Sequence, residues 1–324
     1  MKPSRRVMDC VWKSKTESHM VYFKNFLRQL FIRLVIVSTM VFFTSVIADA
    51  QRALPDGDPF LEAGRAQKIL TPDPAREIKI VSYNIRWRSG KELEQIVEWL
   101  KSGEALAPTI IGLQEVDRAK KRTGHENHAK ALAEKLGMHY AWAGPQRSKK
   151  EARKVKEEET GVEILSPYPL EEITRLVLTT KGPDGRSRVA LGATIKIGDT
   201  AIRVYSVHAE NRMPLWQKLD QWRVVLDDLA RSPKNIPAIV LGDFNSWELP
   251  NIEDVRELFT KAGFVTPLPD DESTFVRKIL GFDLKLKLDW IWLRGLTPQA
   301  YGIDRNLKVS DHFPLWTVVK LPAS

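Results

Sequence analysis

The sequence predicts an α/β (α+β) fold in which a pair of mixed β-sheets is covered by helices, on three observations. From residue 77 onward, short apolar runs alternate with helix-like runs. One run, Val189, Leu191, Ala193, Ile195 and Ile197, keeps a period of two, as a strand does when one face meets a core and the other something more polar. Other segments carry helical stripes. Leu93, Ile96, Val97 and Leu100 fall at i, i+3, i+4 and i+7, as do Ala129, Leu132, Ala133 and Leu136, and Leu215, Leu219, Trp222, Leu226 and Leu229 continue a similar pattern. A wholly parallel sheet, buried on both faces, fits the alternating strand less well.

Along the chain, residues 1–33 carry Lys2, Arg5, Arg6, Lys13, Lys15, Lys24, Arg28 and Arg33, followed by the uncharged apolar stretch 34–48 and by Ala48-Asp49-Ala50. This reads as an export signal at residues 1–50, cleaved after Ala50. The stretch is shorter than the roughly 20 apolar residues that span a bilayer, and small residues stand where a signal peptidase cuts. An uncleaved membrane anchor through residues 30–48 is the alternative, and Met20 is an alternative start. Residues 51–76, with Pro55, Pro59, Pro72 and Pro74 and little apolar periodicity, read as a linker, and residues 77–324 as the folded domain. Strands are expected at 78–83, 109–113, 162–165, 189–197, 202–207, 238–241, 288–292 and 315–321.

Charge and cysteine narrow the function classes. The chain has 50 Lys and Arg against 41 Asp and Glu, but residues 1–50 hold 8 and 3 of these, leaving 42 against 38. The remainder is only mildly basic, so bulk charge does not argue for a nucleic-acid partner. The only cysteine, Cys10, lies in the leader, so an exported domain would have no disulfide and would depend on the size of its core.

Four polar blocks stand where apolar, strand-like runs end: Gln114-Glu115, Gly242-Asp243-Phe244-Asn245, Leu288-Asp289-Trp290-Ile291 and Ser310-Asp311-His312. Asn84 and His208 end two further runs. Strands that stop together present their last residues on one rim, so these groups can converge. The carboxylates of Glu115, Asp243, Asp289 and Asp311, the carboxamides of Asn84 and Asn245 and the imidazoles of His208 and His312 would then share a site. Such oxygen-rich sets suit Mg2+, Mn2+ or Ca2+, whereas zinc sites favour several His or Cys ligands. A metal held there would polarise a phosphoryl oxygen and activate water, which makes phosphoester hydrolysis the natural reaction. Taken singly, each acid is as readily a turn or helix cap.

The order of the blocks carries further information. Ser82-Tyr83-Asn84-Ile85-Arg86, Leu113-Gln114-Glu115-Val116, Gly161-Val162-Glu163-Ile164-Leu165-Ser166, Val207-His208, Gly242-Asp243-Phe244-Asn245, Leu288-Asp289-Trp290-Ile291 and Ser310-Asp311-His312 resemble, in sequence order, the endonuclease/exonuclease/phosphatase superfamily. That resemblance, over residues 77–321, implies a four-layer sandwich of two packed mixed β-sheets flanked by helices, the deoxyribonuclease I-like fold. It implies Glu115 as the principal metal ligand, supported by Asn84 and Asp311. Asp243 would align or activate water, Asn245 and His208 would contact the scissile phosphate, and His312, oriented by Asp289, would be the acid–base or electrostatic partner. Supporting roles are implied for Glu159, paired with His208, and for Arg86, on phosphate or on the Glu115 carboxylate. Glu163, before Ile164-Leu165-Ser166, and Pro167, after it, depart from the commoner pattern, and they touch the strand and its exit, not this set.

Other features are weaker. His125-Glu126-Asn127-His128 spaces its histidines three apart, not the four of a zinc-protease helix, and reads as helix surface. No phosphate-cradling Gly-x-x-x-x-Gly-Lys loop or Gly-x-Ser-x-Gly elbow is present. Arg147, Lys149, Lys150, Arg153, Lys154 and Lys156 could track a phosphate backbone, but Glu151, Glu157, Glu158 and Glu159 dilute their field. Trp87 and Trp247 follow rim motifs, where stacking on a ligand and simple packing both remain open. The expected protein is a monomeric, exported, divalent-metal-dependent phosphodiesterase, nuclease-like or phospholipase-like, acting on nucleic acid, phospholipid or inositol phosphate. Its N-terminal segment would supply membrane contact. A phosphomonoesterase of the inositol-phosphate type, or a non-catalytic phosphate-binding module on the same fold, is the alternative.

Overall fold

The computed structural model describes residues 58–69, 72, 73, 76–102, 107–145, 158–183, 185–247 and 249–322. The expected leader at 1–50 and the basic stretch at 147–156 lie outside the described residues.

Two mixed sheets pack face to face. The larger has seven strands in the order β1-β4-β5-β3-β2-β14-β13. These are β1 (Leu61–Arg65), β2 (Glu77–Asn84), β3 (Ile110–Arg118), β4 (His139–Ala143), β5 (Glu159–Ser166), β13 (Thr297–Ile303) and β14 (Leu315–Lys320). The smaller has five in the order β12-β9-β8-β7-β6: β6 (Leu170–Lys181), β7 (Ser187–Ile197), β8 (Thr200–His208), β9 (Ala238–Asp243) and β12 (Asp289–Arg294). In each sheet one adjacent pair is parallel, β2 with β3 and β8 with β9, and the other pairings are antiparallel. A separate hairpin is formed by β10 (Phe275–Ile279) and β11 (Phe282–Leu286).

The period-two strand explains the sandwich. Val189, Leu191, Ala193, Ile195 and Ile197 of β7 all enter the core between the sheets, with Ile78 and Ile80 of β2 and Ile239 and Leu241 of β9. The opposite faces are covered by helices whose stripes were legible. Helix α1 (Gly90–Ser102) and helix α2 (His128–Leu136) lay Leu93, Ile96, Leu100, Ala129 and Leu132 on the larger sheet. Helix α3 (Leu215–Leu229) and helix α4 (Leu249–Lys261) cover the smaller one with Trp222, Val225, Leu229, Val255 and Phe259. The result is helix, sheet, sheet, helix, the four-layer sandwich that the resemblance implied.

Two expectations are corrected. Residues 51–76 are not wholly a linker, because Leu61–Arg65 pairs antiparallel with β4 at the edge of the larger sheet. Glu62 fastens it, accepting from Tyr140 Oη at 2.7 Å and Asn127 Nδ2 at 2.8 Å. Its apolar content is too low for a periodicity reading, since an edge strand needs only one partner and half-burial. The four-residue cluster His125-Glu126-Asn127-His128 is not uniformly surface. His125 is exposed, Asn127 caps α2 by accepting from Lys130 N, and His128 is fully buried at the start of that helix.

Candidate active site

The parallel pairs place the site. The parallel pairing of β2 with β3 ends at Asn84 and Gln114, and β8 and β9 end in register at His208 and Asp243. Asp289 and Asp311-His312 were expected where strands end, but they stand where strands begin. Asp289 opens β12, directly opposite Asp243, and Asp311 and His312 lead into β14. Because β12 and β14 run antiparallel to β9 and β2, their N-terminal ends reach the same rim. Below that rim the sheets are tied together, with Gln114 Nε2 donating to Ser206 Oγ at 3.1 Å.

Glu115 is delivered by a distortion. β3 continues to Arg118, but its register with β5 slips between Gln114 and Val116, and Glu115 takes a left-handed φ of 56°. A bulge of this kind turns one side chain out of the alternation of the strand. Its strain, on the order of 1–3 kcal/mol, must be held by the surrounding sheet. Glu115 Oε1 accepts from Asn84 Nδ2 at 3.4 Å, whereas buried Glu115 Oε2 has no hydrogen-bond partner. Burial raises the pKa of this carboxyl, against the lowering influence of His312 and Asn84.

Around it the other groups close in. Asn84 Nδ2 also donates to Asp243 Oδ2 at 3.0 Å, and His208 Nε2 lies 3.6 Å from that oxygen and 3.9 Å from Glu115 Oε1. His312 Nδ1 sits 2.9 Å from Asp289 Oδ2 and 3.1 Å from Oδ1, and its Nε2 is 3.8 Å from Asp243 Oδ2. Burial alone would depress the His312 pKa, but the carboxylates of Asp289 and Asp243 push it up to about 10. His208 moves the other way. Burial, with Arg188 and His312 nearby, holds its pKa well below the usual imidazole range, so it is neutral. Burial pushes Asp243 up to about 7, with the positive charge of His312 opposing. One imidazolium and one neutral imidazole therefore flank a carboxylate that titrates near neutrality, a division of roles suited to acid–base chemistry.

Supporting residues to which the sequence reading gave no role complete the frame. Thr274 Oγ1 donates to Asp289 Oδ2 at 2.7 Å and accepts from the backbone N–H of Leu288 and Asp289, which fixes the carboxylate beneath His312. Ser310 Oγ donates to the Asn84 carbonyl at 2.9 Å. Lys218 was detectable. It falls three residues after Leu215 and four before Trp222, a cation on an apolar stripe, and its buried Nζ donates to the Asn245 carbonyl at 2.7 Å. Asn245 itself takes φ of 52°, receives its backbone fix from Asp243 Oδ1, and donates one amide hydrogen to the Ala209 carbonyl.

Arg86 pairs with Asp311 Oδ2 at 3.0 Å and not with Glu115, although its turn stays against the bulge, where Trp87 N donates to the Glu115 carbonyl at 2.9 Å. Glu159 and His208 line one cleft of about 240 Å³, together with Trp87, Glu115, Arg122 and Arg188. There Glu159 lies 4.0 Å from Lys120 Nζ. The Arg122 guanidinium stacks 4.1 Å from the centre of the Trp87 ring, while Trp247 is largely exposed.

This geometry meets its counterpart in known proteins. A sequence model of the Endonuclease/Exonuclease/phosphatase family matches residues 81–312. The chain belongs to this family. Two UPF0294 proteins of Vibrio vulnificus, from strains YJ016 and CMCP6, are each 30% identical over 123 residues, which is 37% of this chain and 39% of theirs. The chain thus spans well under half the length of these curated relatives. Among solved structures, an endonuclease/exonuclease/phosphatase of Beutenbergia cavernae is 16% identical with a TM-score of 0.62, covering 77% of this chain and 72% of its own. A humanized D. rerio TDP2 is 18% identical with a TM-score of 0.58, covering 76% and 100%. ANGEL2, a 2',3'-cyclic phosphatase, is 17% identical with a TM-score of 0.56, covering 82% and 99%. At these identities the likeness shows the fold.

Family members are phosphoester hydrolases, and a metal site fits this chain in two places. Asp243, Asp289 and His312 bring one ligand atom each within 4.8 Å of one another. In that group His312 Nδ1 pairs with Asp289, whose Oδ2 also accepts from Thr274, so two of its donors are shared with protein partners. Glu115 Oε2 is buried and unpartnered beside the Asn84 carboxamide. An oxygen donor in that state suits a hard divalent cation better.

Proposed function

We propose that this protein is a divalent-metal-dependent phosphodiesterase acting outside the cytoplasm, using Mg2+ or, in its place, Mn2+ or Ca2+. The observation that carries the reading is the convergence of Glu115, Asn84, Asp243, His208 and His312, with the Glu115 Oε2 atom buried and without a partner. Glu115 would be the principal ligand, with Asn84 and Asp311 supporting it. When bound, the cation supplies Lewis-acid polarisation of a phosphoryl oxygen and a lowered pKa for water.

The protein groups do the rest. Asp243, held by Asn245 N and Asn84 Nδ2, takes the proton of the attacking water. Asn245 and neutral His208 hold non-bridging oxygens. His312, kept protonated and fixed in orientation by Asp289, neutralises charge on the pentacovalent phosphorus centre or protonates the leaving oxygen. Two structures of similar fold support the phosphoester class: D. rerio TDP2 complexed with single strand DNA product, and ANGEL2, a 2',3'-cyclic phosphatase, in complex with adenosine-2',3'-vanadate. The export reading is supported by the basic and apolar pattern of residues 1–50.

The test is hydrolysis by the full-length protein with Mg2+ or Mn2+ of bis(4-nitrophenyl) phosphate, DNA, sphingomyelin and inositol phosphates. Chelator-sensitive turnover of a diester is expected. Turnover of monoesters alone would replace diesterase by monoesterase, and inertness toward all four with retained phosphate binding would leave only a binding module.

A further inference from the structure

The hairpin β10–β11 leaves the body of the protein. Residues 277–285 are all exposed, on both strands and both faces. An isolated two-stranded hairpin is marginal in water, so a ribbon that packs on nothing is expected to be polar. This one is not. Leu280 is 94% exposed, Phe282 80%, Ile279 48% and Leu284 40%.

The register sorts these residues by face. Phe275 pairs with Leu286, Arg277 with Leu284 and Ile279 with Phe282, so Ile279, Phe282 and Leu284 share one face, and Leu280 stands at the turn. Lys278, paired with Asp283, and Lys285 occupy the other. With Arg277 the exposed ribbon holds three cations against one acid. The turn is tight, with Leu280 at φ 49° and Gly281 at φ 89°, which pushes Leu280 outward at the extreme end.

The base of the ribbon is wired to the active site. Phe275 lies edge-on to the His312 ring at 4.9 Å between centroids, Val276 N donates to the Asp311 carbonyl and Phe313 N to that of Thr274, both at 2.8 Å. The face that carries Ile279, Phe282 and Leu284, with Arg277 beside Leu284, therefore runs from beside His312 to a projecting apolar tip.

We propose that this hairpin is a docking finger for an anionic lipid bilayer, seating Leu280, Phe282 and Ile279 among the acyl chains at the interface while Arg277, Lys278 and Lys285 meet acidic headgroups. Charge complementarity selects that occupant. Apolar groups at a thin tip with cations just behind them match an interface that is apolar inside and negative at its surface. The docking reading rests on the hairpin alone and stands or falls separately from the hydrolytic reading.

The test labels the tip. Full-length protein carrying Cys10→Ser and Phe282→Cys, conjugated to an environment-sensitive NBD fluorophore, is mixed with vesicles of phosphatidylcholine and phosphatidylglycerol at equal amounts, and with phosphatidylcholine alone. The emission is expected to shift to the blue and rise severalfold with anionic vesicles, and a label placed by Leu280→Cys should respond alike. The same label on Glu171→Cys, exposed on β6, should stay unchanged even if the leader tethers the chain. Adding Lys278→Gln and Lys285→Gln should weaken partitioning by about fivefold per residue. An unchanged emission at position 282 with every vesicle overturns the proposal, as does the same shift without lipid on raising protein concentration, which would make a second copy the occupant.

Discussion

Removing the imidazole of His312 or the charge of Asp243 tests the chemistry one side chain at a time. His312→Ala and Asp243→Asn should each lower kcat on bis(4-nitrophenyl) phosphate by about 10²–10⁴-fold, the usual range for a positioned proton donor or acceptor. Circular dichroism should remain that of wild type, and a loss under threefold would remove either residue from the mechanism. A second residue-scale prediction concerns Glu163. It is fully buried on β5, both carboxylate oxygens lack partners, and burial together with nearby Glu62 raises its pKa well above the ordinary value. The folded state therefore holds a proton that the unfolded chain releases near pH 4.5. The folded protein is favoured fully below that pH and loses stability as pH rises toward the folded pKa, at about 1.4 kcal/mol per pH unit. Glu163→Gln should abolish that slope and melt higher than wild type at neutral pH, as scanning calorimetry at pH 5 and 8 would reveal. Equal melting of the two proteins at both values would contradict it.

At the scale of elements, the site depends on backbone conformations that few side chains permit. Gly242, one residue before Asp243, has φ of 135°, and a Cβ there would stand 2.0 Å from the Val207 carbonyl oxygen of the neighbouring strand. Gly242→Ala should destabilise the protein by at least about 2 kcal/mol in urea unfolding, since the clash is with backbone that cannot swing aside. An unchanged midpoint would mean that β9 can shift without harm. Here sequence legibility has a physical boundary. The helical stripes and the alternation of β7 were readable because burial on one face imposes a period. The Glu115 bulge was not, because left-handed φ at a glutamate leaves no compositional mark, and Thr274 was invisible because a hydroxyl that braces a carboxylate looks like any loop hydroxyl; Ser310 stood inside a polar block, but its bond to the Asn84 carbonyl left no mark of its own. The hairpin β10–β11 was missed for the same kind of reason: a ribbon that packs on nothing follows no burial pattern.

For the whole molecule, paired sheets covered by helices were legible from the alternation of strand-like and helix-like runs, the rim from the polar blocks beside those runs, and the four layers from the family resemblance that the blocks carry. What escaped was direction and extent: Asp289 and His312 lie at strand beginnings, and the larger sheet takes its edge from residues before the expected domain start. That gives a further test. Trimming the chain to 77–324 removes β1, bares the edge of β4 and strips Glu62 from Arg118, Asn127 and Tyr140. Relative to 58–324, the shorter chain should melt lower by about 5 °C or more, the size expected for losing a few kcal/mol from a domain of this length. Equal melting would show that β1 adds nothing. Glu115, half-buried with one buried and unpartnered oxygen, is proposed to organise metal-dependent phosphodiester cleavage. The most direct measurement of that central claim is the Mn2+ dependence of bis(4-nitrophenyl) phosphate hydrolysis by wild type and Glu115→Gln. The wild type should show saturable, chelator-reversible activation, and the variant should need far more Mn2+ or show no turnover; activation of both proteins at the same Mn2+ concentration would contradict the claim.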